Sequence, residues 1–126
     1  MAREKGKILI VDDDEDTLFI YAEMLTRAGY KVSEARNGRE ALDAARKMLP
    51  DLIIMDIMMP KADGMSAILK LKGDEKTRSI PVVVSTSLDG AEDKTVAANL
   101  GVAGFVVKGT DPEKLLNKIK EVLKHD

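Results

Sequence analysis

Carboxylates directly follow two short apolar runs of the sequence. Asp12 and Asp13 follow the run at 8–11, and Asp56 follows the run at 52–55. If both runs are strands of one parallel sheet, their carboxyl ends share an edge and the three carboxylates converge there. Like charges held close together cost free energy unless a cation neutralises them or one takes a proton. Oxygen ligands without His or Cys suit a hard cation, and Mg²⁺, which also accepts phosphate oxygens, fits this cluster.

The acidic run at 12–16 also has a simpler interpretation. Acidic side chains favour helix N-termini, so a solvated loop that caps a following helix would carry them as well. This interpretation suits Asp14, Glu15 and Asp16. It does not explain why a further aspartate, Asp56, stands at the end of a different apolar run.

Two further apolar runs end in residues that can act on an anion. Lys108 ends the run at 103–107, where its ammonium can balance the carboxylates or hold a phosphoryl oxygen as a point charge. An ordinary surface lysine is the alternative. The run at 80–84 is followed by the hydroxyls of Ser-Thr-Ser at 85–87. They can bond a phosphoryl oxygen or cap the next helix, and these residues alone leave both possibilities open.

The elements that would position these side chains alternate along the chain. Strands are predicted at 8–11, 30–34, 52–55, 80–84 and 103–107, and helices at 17–28, 41–48, about 65–71, 91–100 and about 111–123. The strands are rich in Val and Ile and apolar on both sides, as parallel strands covered by helices must be. The alternation predicts an α/β fold with a five-stranded, parallel, doubly wound sheet. In the first helix, the apolar side chains at helical spacing are Leu18, Ile20, Tyr21, Met24 and Leu25.

The composition narrows the class of protein. The length of 126 residues predicts a single domain over 1–126, with a core at about 7–124 and no output domain. A hydrophobic content of 44% and a charged content of 33% are typical of a soluble globular protein. No apolar run approaches the roughly 20 residues that cross a bilayer. The formal charge of −2 argues against direct binding of nucleic acid or membrane, and the absence of cysteine is compatible with a cytoplasmic protein.

Taken together, these motifs resemble response-regulator receiver domains. The matching segments are Ile-Val-Asp-Asp-Asp at 10–14, Asp-Ile-Met-Met-Pro-x-x-Asp-Gly at 56–64, Thr86, and Phe-Val-Val-Lys at 105–108. The match runs from about 7 to about 123, and the segment at 56–64 is its most specific part. The resemblance implies a flavodoxin-like (βα)5 fold, as in CheY-like proteins, with strand order 2-1-3-4-5. It also implies a cytoplasmic phosphoacceptor of two-component signalling, which assists its own phosphorylation and dephosphorylation and is not an enzyme.

The resemblance implies a role for each matching side chain at the predicted site. Asp56 resembles the phosphoacceptor. Asp12 and Asp13 resemble the acidic pair that holds Mg²⁺, or alternatively Mn²⁺, together with Asp56 and the backbone carbonyl of Met58. Lys108 resembles the lysine that pairs with the phosphoryl group.

The resemblance also implies a switch and its partners. Thr86, a second phosphoryl-binding residue, and Phe105 resemble a pair in which the hydroxyl turns toward the phosphate and the ring moves inward behind it. The phosphoryl donor would be a phosphohistidine on a sensor histidine kinase or a phosphotransfer protein. A downstream protein would bind the surface formed by the fourth helix, the fifth strand and the last helix.

Several positions depart from the family's pattern. Gly109 follows the lysine where the family commonly has proline, and a cis bond before a non-proline residue costs about 2.5–4 kcal/mol, so we expect a trans bond. The aromatic switch position holds Phe105, without a hydroxyl, rather than Tyr. Met58 and Leu88 are apolar at positions that modulate how water reaches the phosphate in relatives.

Three other functions are candidates for an acidic cluster on such a sheet. A haloacid-dehalogenase-like phosphatase needs Asp-x-Asp-x-Thr/Val after the first strand, but Asp16 or Glu15 breaks that pattern in either register. A flavodoxin-like protein needs free N–H groups for the FMN phosphate, which the acidic run at 12–16 would repel. A receiver used only for docking, without phosphorylation, would not need the acidic pair, Asp56 and Lys108 that this chain retains.

Overall fold

The fold is known from a computed structural model that describes residues 6–57, 63–87, 95, 98–108 and 112–123. Within these residues the strands are β1 (Lys7–Val11), β2 (Lys31–Ala35), β3 (Leu52–Met55), β4 (Val82–Thr86) and β5 (Gly104–Val107). The helices are α1 (Glu15–Arg27), α2 (Gly38–Met48), α3 (Asp63–Gly73) and α4 (Pro112–Leu123). Of the helix predicted at 91–100, Thr95, Ala98 and Asn99 are helical, whereas 91–94 and 96–97 lie outside the described residues.

The strands form one parallel sheet in the order β2-β1-β3-β4-β5. This confirms the predicted α/β class, the parallel sheet and the strand order. The register pairs Val11 of β1 with Met55 of β3, so the next residue of each strand lies at the same level. The carboxyl ends of the two central strands therefore meet at one edge of the sheet.

Two apolar layers cover the sheet, one on each face. Side chains alternate along β1, so that Ile8 and Ile10 pack with α1 and α4, while Leu9 and Val11 pack with α2 and α3. All four side chains are almost fully buried. Burial on both faces explains why the strands read as continuous apolar runs rather than as alternating patterns.

The buried apolar stripe of α1 is narrower than predicted. Leu18 and Leu25 are buried, but Ile20 is exposed, so its assignment to the apolar stripe was wrong. At 3.6 residues per turn, Ile20 lies about 200° around the helix from Leu18. Asp14 caps the helix as the simpler interpretation of the acidic run predicted, because its side chain accepts hydrogen bonds from the Asp16 N–H and the Thr17 hydroxyl.

The strand predicted at 80–84 is shifted along the chain. Pro81 has no N–H to donate, and the ladder to β3 begins with the pair Ile53–Val82. The strand continues through Ser85 and Thr86, which were predicted to follow it. Two of the three candidate hydroxyls therefore lie inside the sheet. Among the described helices, none is long and apolar enough to cross a membrane.

Candidate functional site

Two buried aspartates lie side by side at the carboxyl edge of the sheet. The Asp12 N–H donates to the Ala35 carbonyl at 3.0 Å, and the Asp56 N–H donates to the Val11 carbonyl at 3.0 Å. These bonds continue the strand ladders by one residue and fix the backbone of each aspartate. Asp12 is 2% exposed and Asp56 is 4% exposed, and carboxylates are rarely buried this far unless they are paired.

Asp13 completes the acidic cluster from the solvent side. It is exposed, and one carboxylate oxygen each from Asp12, Asp13 and Asp56 lies within 4.8 Å of the others. The predicted convergence of these three carboxylates is therefore present. Such a set of oxygen ligands, open to solvent on one side, suits a cation that keeps part of its water shell.

Lys108 is the cation that the fold supplies to this cluster. Its Nζ lies 2.5 Å from Asp12 Oδ2 and 3.1 Å from Asp56 Oδ2. Its backbone N–H donates to the Thr86 carbonyl at 2.7 Å, which anchors the end of β5 to β4. The interpretation of Lys108 as an ordinary surface lysine does not fit, because the ammonium reaches across β4 to the two central strands.

Burial and pairing act in opposite directions on these charges. Burial raises the pKa of Asp12, although hydrogen bonds from Lys108 and from the Asp14 N–H work against the rise. Burial alone would lower the pKa of Lys108, but its hydrogen bonds to Asp12 and Asp56 outweigh this and raise it. The lysine is therefore charged at neutral pH, and within the described part of the chain its single ammonium is paired with two buried carboxylates.

The candidate hydroxyls at the end of β4 point to different places. Ser85 is buried on the α1 side of the sheet, with its Oγ 2.9 Å from the Tyr21 hydroxyl. Thr86 is fully buried and, by alternation, faces the same side as Val84. Phe105 is half-buried and packs against the apolar layer on that same side. The two residues of the predicted switch pair thus share one face of the sheet.

The Asp63-Gly64 segment holds the start of α3 against the site. A Cβ at Gly64 would overlap the carbonyl oxygen of Asp56, so only glycine allows this close approach. Asp63 Oδ2 accepts a hydrogen bond of 2.5 Å from the Gly38 N–H at the start of α2. The motif alone does not indicate either contact, because the one at Gly64 depends on how α3 packs against the end of β3 and the one at Asp63 depends on the packing of α2 against α3.

Three residues named in the sequence analysis lie outside the described residues. They are Met58, whose carbonyl was assigned to the metal, Leu88, and Gly109, which replaces the usual proline. Tyr21 is a described residue whose contact the sequence does not predict, since its spacing indicates only an apolar residue of α1. A tyrosine in a helix stripe gives no sequence signal for the serine it will meet on a distant strand.

Comparison with known proteins assigns the chain to a family. The sequence model of the response regulator receiver domain matches residues 8–120. The chain belongs to the response regulator receiver domain family. This assignment favours a receiver over the phosphatase and the flavin-binding alternatives.

The receiver is also similar to curated proteins over nearly its whole length. It is 39% identical to the response regulator PleD of Caulobacter vibrioides over 117 residues, covering 93% of this chain and 26% of PleD. It is 37% identical to protein PilH of Pseudomonas aeruginosa over 118 residues, covering 94% of this chain and 98% of PilH. The chain thus spans about a quarter of PleD but nearly all of PilH.

Solved structures show the same fold. The chemotaxis protein CheY4 of Vibrio cholerae superposes with a TM-score of 0.87 at 32% identity, covering 93% of this chain and 98% of CheY4. A putative response regulator from Chloroflexus aurantiacus superposes with a TM-score of 0.89 at 29% identity, covering 95% of this chain and 98% of that one. The receiver therefore has the CheY-like arrangement of helices around a five-stranded parallel sheet.

Proposed function

We propose that this receiver accepts a phosphoryl group on Asp56 from a phosphohistidine, with Mg²⁺ or Mn²⁺ bound at Asp12, Asp13 and Asp56. The observation that carries the proposal is the pairing of one ammonium, that of Lys108, with two buried carboxylates beside a third. This arrangement leaves excess negative charge in a poorly solvated place. A divalent cation would neutralise that charge and then coordinate the oxygens of an incoming phosphoryl group.

The family's motif favours Asp56 over Asp12 as the nucleophile. Asp13 is exposed to water. Asp56 ends the central strand β3 and occupies the position of the phosphoacceptor in the family's motif.

The chemistry matches the groups present. In the transfer, an Asp56 carboxylate oxygen forms a bond to phosphorus while the bond from phosphorus to the donor histidine nitrogen breaks. That nitrogen keeps the electron pair. Phosphoryl transfer depends mainly on positioning and charge neutralisation, so the cation and the Lys108 ammonium would stabilise the charge on the phosphoryl oxygens. The Met58 carbonyl remains our proposed further ligand to the metal.

The switch that we propose uses Thr86 and Phe105. A phosphoryl group on Asp56 offers an acceptor to the Thr86 hydroxyl, and a hydrogen bond to a charged group contributes about 1.5–3 kcal/mol. A bias of that size shifts an equilibrium between conformations that differ by a few kcal/mol. The buried position of Thr86, with Phe105 on the same face, supports a coupled movement of the two side chains.

The proposed partners are a histidine kinase or phosphotransfer protein upstream and an effector protein downstream. The effector would bind the surface of β5, α4 and the helix predicted at 91–100. A groove of about 360 Å³ runs there between β5 and α4, with Phe105, Lys114 and Lys118 in its lining. Movement of Phe105 would change the shape of this groove.

Phosphorylation by a small donor tests the proposal. With acetyl phosphate and Mg²⁺, intact-mass measurement should show a single added phosphoryl group on the wild-type protein and none on Asp56→Asn. Asp16→Asn changes an exposed aspartate of α1 and should be modified like the wild type. Equal modification of Asp56→Asn, or modification that does not require a divalent cation, would show that the acceptor or the metal is misassigned.

A further inference from the structure

Two hydroxyl groups join α1 to β4 close to the acidic cluster. The Tyr21 hydroxyl lies 2.9 Å from Ser85 Oγ, and either group can be the donor. Ser85 is 1% exposed and follows three buried valines in β4. Because a buried hydroxyl costs free energy unless it is hydrogen-bonded, this serine depends on the tyrosine for its pairing. Neither residue has a part in the proposed phosphoryl transfer.

The Tyr21 side chain crosses the same part of the sheet as the Lys108 side chain. Tyr21 extends from α1, which follows β1, across β3 to a serine of β4. Lys108 extends the opposite way, from the end of β5 across β4 to the ends of β3 and β1. Ser85 and Lys108 also lie on the same face, since each continues the alternation that places Val83 and Val106 on the α1 side.

The charged groups of the site affect the pKa of the Tyr21 hydroxyl. Burial raises the pKa of Tyr21, and the hydrogen bond to Ser85 opposes that rise. The ammonium of Lys108 lowers the same pKa, whereas the carboxylates of Asp12 and Asp56 raise it. The phenol thus lies within electrostatic range of all three charged groups.

We propose that Tyr21 and Ser85 position Lys108. The serine fixes the end of the tyrosine side chain at β4, and the fixed ring limits the paths by which the flexible lysine stem reaches Asp12 and Asp56. A lysine ammonium on a four-carbon stem is otherwise free to adopt many geometries. A group that is already in place stabilises a phosphoryl oxygen without reorganising when the phosphoryl group arrives.

Tyr21 and Ser85 are therefore positioning residues that act through Lys108. Their effect on the phosphorylated state rests on the proposed function. Their effect on the lysine itself does not, because the contacts of Lys108 with Asp12 and Asp56 are present without a phosphoryl group.

Tyr21→Phe and Ser85→Ala remove one hydroxyl each and keep most of the packing. Thr77→Val is the matched control, since it removes a buried hydroxyl that donates to the Leu71 carbonyl at 2.7 Å, before β4 and at the opposite edge of the sheet. The first measurement is NMR of the Lys108 ε-methylene group without metal. Its two protons should have distinct shifts in the wild type and in Thr77→Val. In the other two variants the shifts should move toward those of a freely rotating lysine.

The second measurement is the affinity of each variant for beryllium fluoride with Mg²⁺, as a mimic of the phosphoryl group. Tyr21→Phe and Ser85→Ala each lose the hydrogen bond between the two hydroxyls, and the less well positioned lysine should weaken binding of the mimic about two- to tenfold. Binding should not change in Thr77→Val. If all three variants lose similar stability toward urea while Lys108 shifts and affinity stay at wild-type values, the pair is only structural and the inference is wrong. If the wild type does not bind the mimic, the proposed function fails, and the metal-free Lys108 signals still decide the present inference.

Discussion

Among the described residues, two clusters of ionic groups lie near the carboxyl edge of the sheet, and in each of them one cation is paired with two carboxylates. In the exposed cluster, Arg36 Nε lies 2.7 Å from Glu15 Oε2, and Arg36 Nη2 lies 3.4 Å from Glu34 Oε1. A second guanidinium nitrogen also donates to Glu15 at 3.0 Å, so this pair is bidentate. The side chains of Arg36 and Glu15 are 47% and 63% exposed, and water can neutralise the excess charge.

In the buried cluster, the Lys108 ammonium makes one contact with Asp12 and one with Asp56, without a bidentate pair. These side chains are much less exposed to solvent than those of the exposed cluster. The side chains are 20%, 2% and 5% exposed. As in the exposed cluster, one cation is paired with two carboxylates, but here the paired groups are shielded from solvent. The comparison teaches that burial, and not the quality of the ion pairs, distinguishes the proposed cation site from a solvated surface cluster.

The largest difference between the clusters should come from removing their cations. Lys108→Met leaves two buried carboxylates without their ammonium, and breaking a buried pair costs about 3–5 kcal/mol. Because a fifth of the lysine side chain is exposed, we expect a smaller loss of unfolding free energy, about 2–3 kcal/mol. Arg36→Met should cost less than about 1 kcal/mol, as exposed pairs do. Urea unfolding without metal measures both, and equal losses would refute the comparison.

Binding of a divalent cation should stabilise the protein through the buried cluster alone. A ligand at tenfold its Kd adds about 1.4 kcal/mol to the free energy of unfolding. Thermal or urea unfolding with increasing Mg²⁺ should show this gain in the wild type and lose most of it in Asp13→Asn. Glu15→Gln, a matched change at the exposed cluster, should keep the full gain. A loss of the Mg²⁺ effect in Glu15→Gln would place the cation elsewhere.

The contributions of the two clusters to the free energy of unfolding should change in opposite directions with pH. Burial raises the pKa of Asp12, so its contribution is fully present below the ordinary aspartate pKa of about 3.9 and is lost as pH rises through the folded value. The hydrogen bond from Arg36 lowers the pKa of Glu15, so its contribution is present above the ordinary glutamate pKa of about 4.3 and is lost as pH falls.

Unfolding free energies of Asp12→Asn and Glu15→Gln, measured without metal between pH 3 and pH 7, check these signs. Relative to the wild type, Asp12→Asn should gain stability as pH rises, because it lacks the unfavourable ionisation of a buried acid. Glu15→Gln should instead lose stability relative to the wild type as pH rises. The effect at Glu15 should be the smaller, since that group is solvated. Curves that shift in the same direction would contradict the assignment of burial as the cause.

Much of the fold followed from the pattern of apolar runs. The strands, their parallel pairing and the convergence of Asp12, Asp13 and Asp56 could be predicted because runs buried on both faces belong to a sheet covered by helices. The start of β4 could not, since an apolar run does not show that pairing begins after Pro81. That shift places Ser85 and Thr86 inside the strand.

Contacts that depend on the packing of elements distant in the chain could not be predicted from the sequence. Nothing near Tyr21 in the chain indicates that its hydroxyl meets Ser85, 64 residues away. The hydrogen bond from Gly38 to Asp63 likewise requires α2 and α3 to lie together. The position of Lys108 after an apolar run left open whether it balances the carboxylates or lies on the surface, and its pairing with the phosphoryl group and the switch pair came from the family resemblance. These two roles stay predictions until they are measured.

The central claim is that Asp56, among three neighbouring aspartates, accepts the phosphoryl group. Borohydride reduces an aspartyl phosphate to homoserine, so peptide mass mapping after treatment with acetyl phosphate and Mg²⁺ identifies the acceptor residue. We predict homoserine at position 56, absent when Mg²⁺ is removed, with Asp12 and Asp13 unchanged. Homoserine at position 12 or 13, or none at 56 in a sample shown to be phosphorylated, would contradict the account.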